Sequence, residues 1–185
     1  MVWRLGLSKT RYAWFFLYSK QLAYAAALLA LGFALSWTWF SVAPRKDNQL
    51  VADAISNHAR SLMVSHLLDF ISSDQYTVRQ WFNGKLDYSP PVPDLSQAGY
   101  ALKGGRIDML DRRAVAAIVY EHGKHVTNLF VWPAGEQKID IDLQSQRGYN
   151  YCAGNISGFN YFCISDVSGP DLEAFKDEVR ERMNP

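Results

Sequence analysis

The side chains best suited to bind a metal are four histidines. Two of them, His58 and His66, lie in one amphipathic segment and stand eight residues apart. At 3.6 residues per turn they are about 80° apart around a helix, whereas two ligands of one metal normally use the i, i+4 spacing. The spacing favours positions on the helix surface or at the edge of the core, and it leaves His58 and His66 as weak candidates for a metal site. The other two histidines are His122 and His125.

No grouping of nucleophile, base and acid indicates catalysis. The sequence has no nucleophile elbow, and no glycine-rich phosphate loop followed by Lys-Ser or Lys-Thr. Asp140 and Asp142 alternate with apolar residues, which predicts the solvent-facing side of a half-buried strand. We therefore expect a protein that is not an enzyme and holds no cofactor. A formal net charge of +1 gives no reason to expect nucleic acid as a partner.

A long segment without charged residues runs from residue 21 to residue 44, QLAYAAALLALGFALSWTWFSVAP. As a helix it would measure about 36 Å, which exceeds the roughly 30 Å of a bilayer core. The segment predicts one transmembrane helix over 21–44, between a short basic and aromatic tail (1–20) and a larger domain (45–185). A cleaved signal peptide is the alternative, since Ser41-Val42-Ala43 resembles a cleavage pattern. The length of the run favours an uncleaved anchor.

The basic residues near this segment predict its orientation. Four precede it and two follow it, and positive residues favour the cytoplasmic side of a membrane. We expect a cytoplasmic N-terminus, with residues 45–185 outside the cytoplasm. The basic residues before the segment are Arg4, Lys9, Arg11 and Lys20, and those after it are Arg45 and Lys46.

The pattern of the larger domain is typical of an α+β fold. Residues 48–71 carry apolar side chains mostly at three- and four-residue spacing, which predicts an amphipathic helix. Residues 104–143 are rich in β-branched and aromatic side chains and broken by turn signals, which predicts three or four antiparallel strands in a meander. A second hairpin over 148–166 and a closing helix, with Ser168 as its N-cap, complete an antiparallel sheet flanked by an N-terminal and a C-terminal helix.

Residues 74–95 combine aromatic side chains, an Asn-Gly pair and three prolines. A flexible linker would contain glycine, serine and charged residues rather than large aromatics. The segment therefore predicts an extended connector that packs onto the domain, with Trp81 and Phe82 as its anchors. Trp132, on the later strands, is expected to be a buried anchor as well.

The two cysteines, Cys152 and Cys163, lie in the predicted second hairpin. If Ser157-Gly158 form its two-residue turn, counting outward places the cysteines directly opposite each other. Opposed residues on antiparallel strands have Cα atoms about 4.5 or 5.5 Å apart, which a disulfide accepts. In an oxidising envelope we expect a disulfide, on the wetter face of the hairpin. Two free thiols that serve as small core residues are the alternative.

Three stretches carry a resemblance to a known family. They are WFNGKLD at 81–87, SPPV at 89–92 and NLFVWP at 128–133. With these motifs, most of residues 50–176 resembles the extracytoplasmic part of a family of proteobacterial anti-sigma factors, which are single-pass inner-membrane regulators. Members usually carry an N-terminal sigma-binding domain, often with a His-x-x-x-Cys-x-x-Cys zinc site. We expect that domain to be absent here, because 20 residues precede the apolar segment.

The resemblance implies a membrane-anchored regulator in the bacterial inner membrane, with a periplasmic sensor domain. Its implied partners are the lipid bilayer and either a sigma-regulatory protein or a site protease that acts near residues 44–50. The alternative is a membrane-tethered envelope module that binds a metal or a small apolar ligand.

Overall fold

The structure, a computed structural model, describes residues 23–34, 36, 46–63 and 67–183 of a chain that divides into two compact units. In the first unit, Met1–Arg45, residues 23–34 form a helix (α1) whose side chains are all exposed and uncharged. No helix within the described ranges has both the length and the apolar character needed to cross a bilayer. The tail over 1–20 and much of the span predicted over 21–44 lie outside the described residues, so the transmembrane helix stays a prediction.

The second unit, which begins at Lys46, is an antiparallel sheet with helices on both faces. Its helices are α2 (Lys46–Ser61), α3 (Gln75–Asn83) and α4 (Gly169–Met183), with a 3-10 turn at Ser96–Ala98. Its strands are β1 (Phe70–Ile71), β2 (Ala101–Leu110), β3 (Arg113–His122), β4 (His125–Pro133), β5 (Ile141–Gln146), β6 (Tyr149–Ile156) and β7 (Phe159–Ser165). Among the described residues, the strand order is β1-β2-β3-β4-β7-β6-β5. The predicted α+β class and the flanking helices are confirmed.

Two hydrophobic cores, one on each face of the sheet, hold this unit together. α2 covers one core, to which the sheet contributes Phe130 and Phe162. α3, the connector and α4 cover the other, to which the sheet contributes Leu129 and Tyr161. Because both faces are covered, residues 115–120 of β3 are all 0% exposed and do not alternate with polar residues.

The segment predicted as an extended connector contains a helix, α3. Asp74 is its N-cap, and the carboxylate accepts a 2.8 Å hydrogen bond from the backbone N–H of Thr77. Val78 and Phe82 follow at helical spacing and are fully buried. Gly105 on β2 makes room for the Phe82 ring, since a Cβ there would lie 2.5 Å from it. The prediction of a purely extended segment is wrong for its first half.

The second half of the connector is extended and held in place, as predicted. Val92 and Leu95 lie in the core. The Tyr88 hydroxyl donates to the carbonyl of Val131 at 2.9 Å and accepts from the N–H of Ala116 at 3.0 Å. These hydrogen bonds tie the connector to two strands at once.

The helix predicted over 48–71 ends at Ser61, and the pairing of β1 with β2 explains why it does not reach residue 71. After the helix the chain returns to the sheet as β1, in which Phe70 pairs with Gly105 and the next residue pairs with Gly104. Gly104 has a φ of 141°, and a Cβ at this position would lie 2.0 Å from the Phe70 carbonyl oxygen. Glycine at 104 is therefore required for β1 to pair.

Candidate functional site

The candidate site is a buried cluster of polar residues between α2 and the sheet. The first half of α2 packs on the sheet through Leu50, Val51, Ala54 and Ile55. The second half continues the same helix face with polar side chains. We call the buried polar group the α2 polar cluster; its members are Asn57, His58 and Ser61 of α2, Arg106 and Asp108 of β2, and Asn128 of β4.

His58 lies at the centre of the α2 polar cluster. Its side chain is 0% exposed, and neither ring nitrogen has a hydrogen-bond partner among the described residues. The ring instead contacts Tyr149 edge-on, with centroids 4.9 Å apart. The pKa of His58 is lowered from 6.5 to about 4, mainly by burial and to a lesser degree by the positive charge of Arg106, against an opposing effect of Asp166. The imidazole is therefore neutral at physiological pH.

Arg106 and Asp108 form a buried ion pair on the same face of β2. The Arg106 Nε donates to Asp108 Oδ2 at 2.7 Å, and Nη1 donates to the carbonyl of Leu67 at 3.0 Å. The guanidinium also lies over the Phe130 ring, 5.9 Å from its centroid. Its Nη2 is buried, and no residue that the structure describes forms a hydrogen bond with it. Arg60, an exposed residue of α2, approaches Asp108 at 3.9 Å.

Three hydrogen bonds link the remaining members of the cluster. Asn57 Nδ2 donates to the carbonyl of Met109 at 2.8 Å, so α2 binds the backbone of β2 at this point. Asn128 Nδ2 donates to Ser61 Oγ at 3.3 Å, and this hydroxyl donates to the His58 carbonyl at 2.7 Å. Within the described part of the chain, the Asn128 Oδ1 has no hydrogen-bond partner.

The buried but unpartnered atoms weaken the docking of α2. They are both ring nitrogens of His58, Nη2 of Arg106 and Oδ1 of Asn128. A buried polar atom without a partner typically costs about 1–3 kcal/mol. The apolar half of α2 stabilises its attachment to the sheet, and the polar half offsets part of that stabilisation.

His58 and His66, the weak candidates for a metal site, gain no support from these positions. His66 lies outside the described residues. His58 was expected on the helix surface or at the edge of the core, but it is fully buried against Tyr149. Within the part of the chain that the structure describes, no three His, Cys, Asp or Glu residues are grouped closely enough to hold a metal ion.

The two cysteines have the predicted register but not the predicted bond. Cys152 pairs with Cys163 across β6 and β7, and Ile156 pairs with Phe159 at the turn, as the sequence predicted. Both cysteines are free thiols and 0% exposed. The face expected to be wetter is buried, because α4 covers it. There the cysteines serve as small core residues.

The predicted packing anchors differ in burial. Phe82 is 0% exposed and Trp132 is 3% exposed, so both are core residues. Trp81 is only half-buried: one face stacks on Phe70 with centroids 5.5 Å apart, and the Lys85 ammonium lies 5.4 Å from the ring centroid.

A groove of about 480 Å³ lies beside the turn between β2 and β3. Aromatic and proline side chains form part of its wall, and two arginines, Arg112 and Arg113, lie at the turn. Neither arginine forms an ion pair with a described residue. The lining residues are Asp87, Tyr88, Asp111, Arg112, Arg113, Ala114, Trp132 and Pro133.

The backbone of this turn is unusual within the sheet. Asp111 and Arg112 have φ angles of 46° and 61°, a left-handed conformation that disfavours side chains other than glycine. In each of the other three two-residue turns of the described sheet, one of the two central residues is a glycine with positive φ. These glycines are Gly123, Gly148 and Gly158.

Sequence reasoning found one member of the α2 polar cluster and missed the others. His58 lies at helical spacing from the apolar residues of α2, and this spacing indicates that its side chain is buried. Arg106 and Asp108 alternate with Ile107, a pattern that also describes an exposed strand face. Only the docking of α2 distinguishes these two environments.

Comparisons with known proteins identify no relative. No family model, no curated protein and no solved structure matches this chain. Candidate functions therefore depend on the sequence pattern and on the geometry of the domain.

Proposed function

We propose that this chain is a membrane-anchored regulatory protein, in which the domain from residue 46 is a sensor and α2 relays its state to the anchor. The observation that carries the proposal is the position of α2. The helix begins at Lys46, so only one residue of the sequence separates its start from residue 44, where the predicted apolar segment ends. A change in how α2 docks would act directly on the end of the anchor.

The apolar character of α1 supports the anchor. Its side chains over 23–34 include no charged residue and are all exposed, among them Leu28, Leu29 and Phe33 at 69%, 76% and 69%. A helix that is apolar around its whole circumference needs an apolar environment on every side. A bilayer supplies that environment.

The incomplete hydrogen bonding of the α2 polar cluster supports the relay. An element held by apolar contacts and fully paired polar groups would remain docked under most conditions. At the interface of α2 with the sheet, four buried polar atoms have no partner among the described residues, two on α2 and two on the sheet. The docked state is therefore less favourable, relative to the undocked state, than it would be with an all-apolar interface. Its polar groups lie beneath the helix, beyond the reach of a substrate, which favours a regulator over an enzyme.

The partner in this proposal reads the docking state of α2. Leu50 and Val51 are buried while α2 is docked, and undocking would expose the segment near 44–50 to a site protease or to a sigma-regulatory protein. The resemblance of residues 50–176 to anti-sigma factors supports a role for this partner in the regulation of transcription.

The test compares two substitutions on opposite faces of α2. Ala54 is 0% exposed and packs on the sheet, whereas Ala52 is exposed. In cells that produce the full chain with a C-terminal tag, we expect Ala54→Asp to increase a tagged fragment cut near residues 44–50, and Ala52→Asp to leave its amount unchanged. Equal amounts of fragment from wild type and both variants would contradict a relay through α2.

A second candidate function is a membrane-tethered binding module, which the groove at the β2–β3 turn favours. Its two arginines, beside Tyr88 and Pro133, suit a small aromatic anion better than a metal ion. The probe is 1-anilinonaphthalene-8-sulfonate, whose fluorescence rises in an apolar site. We expect the folded wild type to enhance this signal and Arg113→Ala to reduce it, with Lys124→Ala as the control. Equal signals from all three proteins would exclude the groove as a site for this class of ligand.

A further inference from the structure

The charges around His58 make its protonated form unfavourable while α2 is docked. The positive charge of Arg106 on β2 acts on the ring and lowers its pKa, and Asp108 already pairs with this arginine. Asp166, which follows β7, opposes Arg106 but is itself paired with His125 at 2.9 Å. A proton on His58 would therefore place a second positive charge beneath α2 without an anion of its own.

The other groups that face this ring offer no compensation. On β6, Tyr149 presents a ring to the imidazole rather than a carbonyl or a carboxylate. On α2 itself, Arg60 adds a further positive charge near Asp108, and its guanidinium also binds Asn57. The imidazolium needs two hydrogen-bond acceptors, whereas no described residue forms a hydrogen bond with either nitrogen of the ring in the docked state.

We propose that protonation of His58 releases α2 from the sheet, so that external acidity regulates the signal that α2 carries. This inference deepens the function proposed above and depends on it for the biological output. The undocked helix exposes the imidazole to water, where the charged ring is solvated and no longer confronts Arg106.

α2 can leave without dismantling the sheet. It is the first element of the domain, and no strand pairs with it. The core beneath α4 contains no residue of α2. Release of α2 is therefore a local opening, which requires less free energy than unfolding of the whole domain.

The size of the effect follows from proton linkage. The docked His58 has a pKa of about 4, against 6.5 for an exposed histidine. Because His58 has the lower pKa in the docked state, its contribution to the stability of docking is fully present above pH 6.5. That contribution is lost progressively as the pH falls toward 4. Between pH 7.5 and pH 5 the equilibrium shifts about 30-fold toward the undocked helix.

Hydrogen exchange tests this inference on the full chain in detergent micelles. Amide exchange is measured by mass spectrometry at pH 7.5 and pH 5.0 and corrected for the intrinsic dependence of exchange on pH. We expect protection of α2 to fall about 30-fold more than protection of α4. In His58→Gln, which cannot take up the proton, the two helices should change alike. His122→Gln, at an exposed histidine, should behave as the wild type.

Two results would overturn the inference. One is wild-type protection of α2 that changes no more than that of α4, a result that needs no variant to fold. The other is a selective loss at α2 that persists in His58→Gln. Hydrogen exchange reports only the docking of α2. If α2 undocks at low pH but the chain is never cut or bound near residues 44–50, the pH-dependent release stands and the proposed function is rejected.

Discussion

Cys152 and Cys163 are paired across β6 and β7, on the sheet face that α4 covers. Each thiol is completely buried, and burial is the main cause that raises the pKa of Cys163 well above that of an exposed thiol. The hydrogen bond from Cys163 lowers the pKa of Cys152 instead, but both thiols are 0% exposed, so a reagent in solution reaches neither of them while the domain is folded.

We therefore expect N-ethylmaleimide to label neither cysteine in the native protein and both after denaturation without a reductant. Intact mass spectrometry counts the labels. Protein that gains labels only after a reductant is added would contain the disulfide, which the opposed register permits.

The hairpin that holds these cysteines shows what a sequence can specify. Ser157-Gly158 is a short-range turn signal, and the register of β6 and β7 follows from it by counting. The sequence did not reveal that the cysteine face is buried, because burial depends on where α4 packs. The chain segment that forms α4 was predicted as a helix, but its docking is a long-range contact.

α3 was missed although it has a local signal. Asp74 followed by Thr77 is an N-cap pattern, and Val78 and Phe82 have helical spacing. The prolines later in the segment favour an extended backbone, and for that reason the whole segment was predicted to be extended. The partners of His58 are a different case: Arg106 lies 48 residues away in the sequence, and no local pattern connects them.

The anchors should differ in their contribution to stability. Phe82 is fully buried, whereas Trp81 is half-buried. We expect Phe82→Ala to lower the free energy of unfolding by about 3–5 kcal/mol, because truncation leaves a cavity against Gly105, and Trp81→Ala to cost less. Urea denaturation followed by circular dichroism measures both. A larger loss in Trp81→Ala would contradict this assignment of the core.

The N-cap of α3 can be tested without disturbing the core. Asp74→Ala removes the acceptor for the Thr77 N–H and should cost about 1 kcal/mol. Ser73→Ala changes an exposed neighbour that is not the cap, and serves as the control. The same urea titration compares them; equal midpoints would indicate that the cap contributes nothing.

The β2–β3 turn should be stabilised by glycine. Arg112 has a φ of 61°, so Arg112→Gly relieves a conformation that costs an arginine about 1 kcal/mol. Lys124 lies in another two-residue turn without a positive φ, so Lys124→Gly should bring no gain. Thermal melting compares the two variants with the wild type. A lower melting temperature for Arg112→Gly than for the wild type would show that the arginine contributes contacts that outweigh the strain.

The central claim, a membrane anchor with a sensor domain outside the cytoplasm, is tested most directly by a fusion of alkaline phosphatase at Asp94. This residue is exposed and lies in the connector, beyond α2 and α3. The phosphatase is active only outside the cytoplasm, so we predict an active fusion that stays in the membrane pellet after a carbonate wash. An inactive fusion, or an active one released into the soluble fraction, would contradict the claim.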